Sequence, residues 1–188
     1  MDHQPPKHDH PNALYAPWRM DYIRSLEKPA AGVCFLCDAA AGADEAQRRQ
    51  RLVLWQTPHC VVVINRFPYT NGHLLIAPAA HKAELEELTD DENQDLVRQT
   101  TEAIRLLKRA VSAQGFNIGI NVGRCAGAGV PGHLHQHVVP RWAGDVNFMN
   151  VVGETHIVPQ AMSQLYEELL RVRAVMVEAR GPALDPAT

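Results

Sequence analysis

Apolar residues between positions 52 and 78 come in short runs bounded by polar and turn residues, the pattern of strands rather than helices. Val61, Val62, Val63 and Ile64 form a β-branched run within Cys60 to Asn65, which predicts a strand buried on both faces. Leu52 to Gln56 predicts a short strand before it, and His73 to Ala77 one after it. Asn71-Gly72 is a turn signal, and the short connection Arg66 to Gly72 makes these last two strands antiparallel neighbours. The period then changes. Leu96, Ala103, Ile104, Leu107 and Val111 recur on one helical face, predicting a helix from Asp90 to about Ala113 that Gly115 terminates. Thr89 and Glu92 form a capping-box pattern at its start. Phe116 to Val122 and His133 to Pro140 alternate as strands on either side of a glycine-rich loop, Gly123 to Gly132. A polar loop after Trp142 leads to a segment at Glu154 to Val158. A last amphipathic helix follows, with Met162, Leu165, Leu169, Val172 and Met176 on its apolar side.

The N-terminal part is less regular. Residues 1 to about 15 offer little to bury and contain three prolines, so they are expected to be disordered. Trp18, Tyr22 and Ile23 stand at near-helical spacing and are expected to dock this segment. Cys34 and Cys37 fall on a short turn, and Asp38 to Gln50 suits a helix or a long loop. The expected fold is α+β, a mainly antiparallel sheet with helices packed on one face. Three parts are expected: an N-terminal extension over 1–30, a central domain over 31–145, and a C-terminal extension over 146–188 with the amphipathic helix.

Bulk properties narrow the function classes. At 188 residues and 46% hydrophobic, the chain can bury one ordinary core without covalent staples. With 18 basic against 21 acidic residues it lacks the basic surface that polymeric nucleic acid demands, although a small anion in a local pocket is compatible. No apolar run is long enough to span a bilayer, and Met1 to Asn12 lacks a signal-peptide apolar region. The expectation is a cytoplasmic protein, away from membranes, whose cysteines Cys34, Cys37, Cys60 and Cys125 are reduced.

The chemistry concentrates at His133, His135 and His137. On a strand these alternate onto one face, roughly 7 Å apart at about 3.3 Å rise per residue. Buried imidazoles each need a polar partner, so the row is a metal site, a catalytic row or a solvated surface. The preceding loop, with Gly123, Gly127, Gly129 and Gly132, favours phosphate, because glycines let backbone N–H groups converge on an anion.

The segment Gly132-His133-Leu134-His135-Gln136-His137-Val138-Val139-Pro140-Arg141 resembles the signature of the histidine triad nucleotidyl hydrolases and transferases. The resemblance extends to Asn121-Val122-Gly123 with Ala126-Gly127, and to Gly72-His73-Leu74-Leu75-Ile76-Ala77-Pro78 followed by His81. It covers roughly Cys34 to Trp142. Trp18-Arg19-Met20-Asp21-Tyr22-Ile23 and the C-terminal helix resemble the branch that contains bacterial diadenosine tetraphosphate phosphorylases. Two departures stand out. Gln136 occupies an inward position that is usually apolar, and Ala128-Gly129 replaces a polar pair in a loop one residue longer than usual.

The resemblance implies a histidine-triad fold and an enzyme that cleaves dinucleoside polyphosphates through a nucleotidyl-histidine intermediate on His135. A neutral imidazole is nucleophilic near neutral pH, and a bond from its other nitrogen to a backbone carbonyl fixes the tautomer. His137 is expected to donate to phosphate oxygens. Asn121 and the backbone at Ala128 and Gly129 are expected to position the phosphate, and Asn65 matches the position that binds ribose hydroxyls; an ordinary turn role for Asn65 fits equally. A homodimer is implied as well. Two other functions keep the same residues: a purine nucleoside phosphoramidate hydrolase, and a zinc-stabilised nucleotide-binding module without turnover.

Cys34-Phe35-Leu36-Cys37 has metal-knuckle spacing. By itself the pair fits zinc, a redox pair or two chance thiols, with redox disfavoured because no thioredoxin-like βαβ pattern surrounds it. The resemblance supplies two further ligands, His81 and His133, for a closed structural zinc site. His59 and His73 are the rivals to His81. Cys125 reads as a bystander in the loop, His156 as structural, and His3, His8 and His10 as solvated tail residues.

Overall fold

The computed structural model describes residues 34–42, 44–145 and 161–180. Expectations for residues 1–30, for the segment Glu154 to Val158 and for His156 lie outside them. The elements in chain order are α1 (Phe35–Ala40), α2 (Glu45–Arg51), β1 (Val53–Gln56), β2 (Cys60–Ile64) and β3 (Leu74–Pro78). A 3-10 turn (Leu85–Glu87) precedes α3 (Asp90–Ala110). Then come β4 (Gly115–Ile120), a second 3-10 turn (Arg124–Ala126), β5 (Gln136–Arg141) and α4 (Met162–Arg180). The five strands form one antiparallel sheet in the order β1-β2-β3-β5-β4. This is the α+β architecture expected.

The run from Val61 to Ile64 is buried on both faces because each face has its own cover. Val62, Ile64, Leu74, Ile76 and Val138 pack with Leu96, Ala103, Leu106 and Leu107 of α3 and with Leu165, Leu169 and Met176 of α4. Met162 and Val172 border the same cluster, so all five apolar positions assigned to the last helix face the core. On the opposite face Val53, Val61, Val63, Leu75 and Ala77 pack with Leu36 and Ala39. The two long helices thus share one face as expected, while α1 covers part of the other. Cys34 and Cys37 accordingly sit at the start of a helix, not on a turn.

Thr89 and Glu92 close the predicted capping box: the Thr89 hydroxyl accepts from Glu92 N–H, and the Glu92 carboxylate accepts from Thr89 N–H at 2.7 Å. The far end of α3 differs from expectation. The helix stops at Ala110, Ser112 takes a positive φ of 51°, and Gly115 opens β4 rather than ending the helix. Trp142 Nε1 donates to the Val111 carbonyl at 3.0 Å, satisfying a group the helix end leaves open.

Gln136 has its inward partner. Its Nε2 donates to Thr100 Oγ1 at 2.6 Å, and Thr100 Oγ1 donates to the Leu96 carbonyl at 2.7 Å. Beside it runs a second buried polar chain, Trp55 Nε1 to Gln99 Oε1 and Gln99 Nε2 to Asp95 Oδ1, with Thr57 Oγ1 closing on the other Asp95 oxygen. These bonds join α3 to the sheet through satisfied polar groups within an apolar layer.

Candidate active site and metal cluster

The three histidines do not share a strand. β5 begins at Gln136, so only His137 belongs to the sheet, where it pairs with Leu75 and Gly119. His133 and His135 precede it. There the backbone is drawn toward neighbouring loops: His133 N–H donates to the Val130 carbonyl at 3.2 Å, and Leu134 N–H to the Lys82 carbonyl at 2.6 Å. The His135 and His137 rings meet edge to face with centroids 5.1 Å apart. Since directly paired residues share a face, His137 stands with Leu75 on the side of the sheet that carries α1.

The His135 ring is almost fully buried, and its Nδ1 lies 2.8 Å from the His133 carbonyl oxygen. A carbonyl only accepts, so Nδ1 carries the proton and the neutral ring keeps its lone pair on Nε2. Burial holds the His135 pKa below the usual imidazole value, opposed in part by that hydrogen bond. At neutral pH the ring is a base and a nucleophile, not a cation.

His137 is oriented by a residue that sequence reasoning considered only as a rival metal ligand. His73 is wholly buried, and its Nε2 lies 3.0 Å from His137 Nδ1. The backbone N–H of Tyr69 donates to His73 Nδ1 at 3.1 Å, and the Asn65 side-chain amide reaches the same nitrogen at 3.2 Å. His73 Nδ1 is thus an acceptor, its Nε2–H donates to His137 Nδ1, and the proton of neutral His137 resides on Nε2. That Nε2 is buried and has no partner among the described residues, a donor held in reserve. Burial first, then the neighbouring imidazoles, pushes His73 down to about 3 and His137 to about 4, so both are neutral at physiological pH. The sequence signal was available: His73 is a polar residue between the Asn71-Gly72 turn and a fully apolar strand.

Register pairs Ile120 with Gln136, so Asn121 leaves β4 level with His135. Ala128 N–H is already engaged with the Gly123 carbonyl at 3.3 Å, whereas Gly129 N–H has no acceptor among the described residues. Asn65 uses its amide toward His73 and accepts from Phe67 N–H on its Oδ1 at 3.0 Å. Its side chain is therefore built into the scaffold behind His137.

Cys34, Cys37, His81 and His133 come together, with their ligand atoms all within 4.8 Å of one another. His133 Nδ1 is 3.4 Å from each sulfur, and His81 Nδ1 is 3.0 Å from Cys37 Sγ. Tetrahedral zinc with bonds of about 2.3 Å to sulfur and 2.0 Å to nitrogen has S···N edges of about 3.5 Å, so these three contacts are close to the edges of such a site. His133 Nε2 donates to the Pro78 carbonyl at 2.9 Å, which leaves Nδ1 unprotonated toward the sulfurs, the arrangement of a metal-binding imidazole. The four residues could hold a metal ion. His59 and His73 lie outside the group. No helix among the described residues is long and apolar enough to cross a membrane.

Comparison with known proteins agrees with this geometry. A model of the HIT domain matches residues 47–144. An AP-4-A phosphorylase of Mycobacterium tuberculosis (strain ATCC 25618 / H37Rv) is 37% identical over 158 residues, 79% of this chain and 77% of that protein. A bis(5'-nucleosyl)-tetraphosphatase [asymmetrical] of Schizosaccharomyces pombe is 32% identical over 100 residues, 53% of this chain and 54% of that protein. The fold is shared with a Zn-bound histidine triad family protein from Mycobacterium smegmatis, at a TM-score of 0.62 and 22% identity, covering 78% of this chain and 96% of that one. With the buried His135 before β5 and the half-buried His137 on it, and a family model spanning the sheet, the chain belongs to the HIT, or histidine triad, family.

Proposed function

We propose that the protein cleaves dinucleoside polyphosphates of the diadenosine tetraphosphate type through a nucleotidyl-His135 intermediate. The observation that carries this is the Nδ1 bond from His135 to the His133 carbonyl, which leaves the Nε2 lone pair for attack. The M. tuberculosis relative named AP-4-A phosphorylase supports the substrate class. His135 Nε2 attacks the α-phosphorus; the P–N bond forms as the P–O bond to the departing nucleoside triphosphate breaks. His137 Nε2–H and the Gly129 N–H donate to the phosphoryl oxygens, with Asn121 beside them. Water or inorganic phosphate then breaks the P–N bond and frees the nucleotide. Asn65 acts chiefly behind His137, with a ribose contact left to its remaining valences.

Cys34, Cys37, His81 and His133 would hold zinc, which would serve as a closed structural centre. Its four protein donors leave no open position for substrate. A homodimer is also part of this reading. Among the described residues the outer edge of β4 is unpaired, and Ile118 on that strand is exposed. Such an edge invites a second strand.

Incubation with diadenosine tetraphosphate, with and without inorganic phosphate, tests the reading. ATP with ADP marks phosphorolysis, and ATP with AMP marks hydrolysis. Full turnover by His135→Ala would eliminate the intermediate, and binding without turnover by the wild type would leave a nucleotide-binding module.

A further inference from the structure

We propose that the Cys34, Cys37, His81 and His133 cluster sets the ring orientation and tautomer of His135, which makes His133 the positioning residue of the nucleophile. The inference rests on the nucleophilic role given to His135 above. The ladder fixes His137 but stops at Gln136, so nothing in the sheet holds His135. What holds it is His133. That residue is wholly buried and bonded through its backbone N–H to Val130, through Nε2 to Pro78 and through Nδ1 to the sulfurs of Cys34 and Cys37. Its carbonyl oxygen then accepts the hydrogen bond from Nδ1–H of His135.

Two anchors lead from the sheet to this point. Leu36 and Ala39 seat α1 against β1, β2 and β3, and so place Cys34 and Cys37. His81 is followed by Lys82, whose carbonyl accepts from Leu134 N–H, between the two histidines. Thiol-to-imidazole contacts near 3.4 Å restrain a ring weakly. The same four donors closed around a divalent cation form a cage. With the cage open, the His133 peptide can tilt, its carbonyl leaves Nδ1, and His135 can place its proton on Nε2. In that tautomer the attacking nitrogen has no lone pair.

The test compares zinc-loaded and chelator-stripped protein, and His81→Asn, by 15N shifts of the His135 ring and by kcat and KM for diadenosine tetraphosphate. Loaded wild type should show a single Nδ1–H tautomer. Stripped protein and His81→Asn should show mixed tautomers and a kcat lower by about 10–100-fold, with KM little changed. Cys37→His, which keeps four donors, should retain the single tautomer and the wild-type kcat when loaded with zinc. Folded, stripped protein with an unaltered tautomer and kcat overturns the proposal. Where stripped protein unfolds, loaded His81→Asn with wild-type tautomer and kcat overturns it instead. A fully active His135→Ala would defeat the nucleophile assignment itself, a separate outcome.

Discussion

Nε2 of His73 stands 3.0 Å from Nδ1 of His137, and the Tyr69 backbone N–H closes the opposite nitrogen of the His73 ring. The polarity of this chain is dictated from its far end, because a backbone amide can only donate. His73→Ala removes the donor that holds His137 in one tautomer. The loss of one buried hydrogen bond, about 1–1.5 kcal/mol, corresponds to a fall of roughly tenfold in kcat. His137→Ala removes the proposed phosphate donor itself and should cost about 10²–10³ in kcat. Steady-state kinetics on both variants should preserve this ranking; equal effects would mean that His137 contributes nothing without the His73 bond.

The pH dependence follows from the same rings. His73 titrates near 3 and His137 near 4 in the folded protein, against 6.5 for an ordinary imidazole. Between these values the unfolded chain binds more protons than the folded one. The stability contribution is therefore complete above about pH 6.5 and is lost as pH falls toward 4 and then 3, by up to about 1.4 kcal/mol per pH unit for each group. Denaturant titrations at pH 7.5, 6 and 5 should show this decline, and His73→Asn should flatten it.

Gln136 carries a third prediction. Gln136→Leu removes a 2.6 Å bond, yet Thr100 keeps its own bond to the Leu96 carbonyl. Little is left unsatisfied, so the cost should be about 0.5–1.5 kcal/mol. Combining it with Thr100→Val in a double-mutant cycle should give a coupling energy of either sign above about 0.5 kcal/mol. Strict additivity would mean that the two groups do not meet in solution.

Gly72 offers a test of the turn. Its φ is +84°, and a Cβ there would come within 3.0 Å of Leu107 Cδ2. Gly72→Ala combines a left-handed backbone penalty of about 1–2 kcal/mol with a push on α3. A measurable fall in Tm is expected, with His73 displaced because it is the next residue; an unchanged Tm would argue against the positive φ.

Much of this was legible in the residues because it depends on local chemistry. The β-branched run at Val61, the Thr89 and Glu92 cap and the apolar stripe of the last helix each declare themselves within a few positions. The partners of Cys34 and Cys37 lay 44 to 99 residues away and were reached through family likeness, since spacing within a Cys-x-x-Cys says nothing about distant ligands. His133 to His135 were expected to continue the strand because alternation cannot report where a ladder stops. At that boundary the backbone turns off into a local bond from His133 to Val130 and a bond from Leu134 to Lys82, a distant part of the chain. The inward Gln136 was visible as an anomaly, but Thr100 as its partner was not. His73 was passed over because its role exists only once β3 lies beside β5.

The point at which the ladder ends divides the site into two cooperative units. His137 shares the fate of the sheet, and its amide should exchange with solvent only on global opening. His135, two residues earlier, can be released by a local opening that leaves the core intact. A molecule losing order by degrees would then lose the proposed nucleophile before the proposed phosphate donor, and would still hold nucleotide after turnover had ceased.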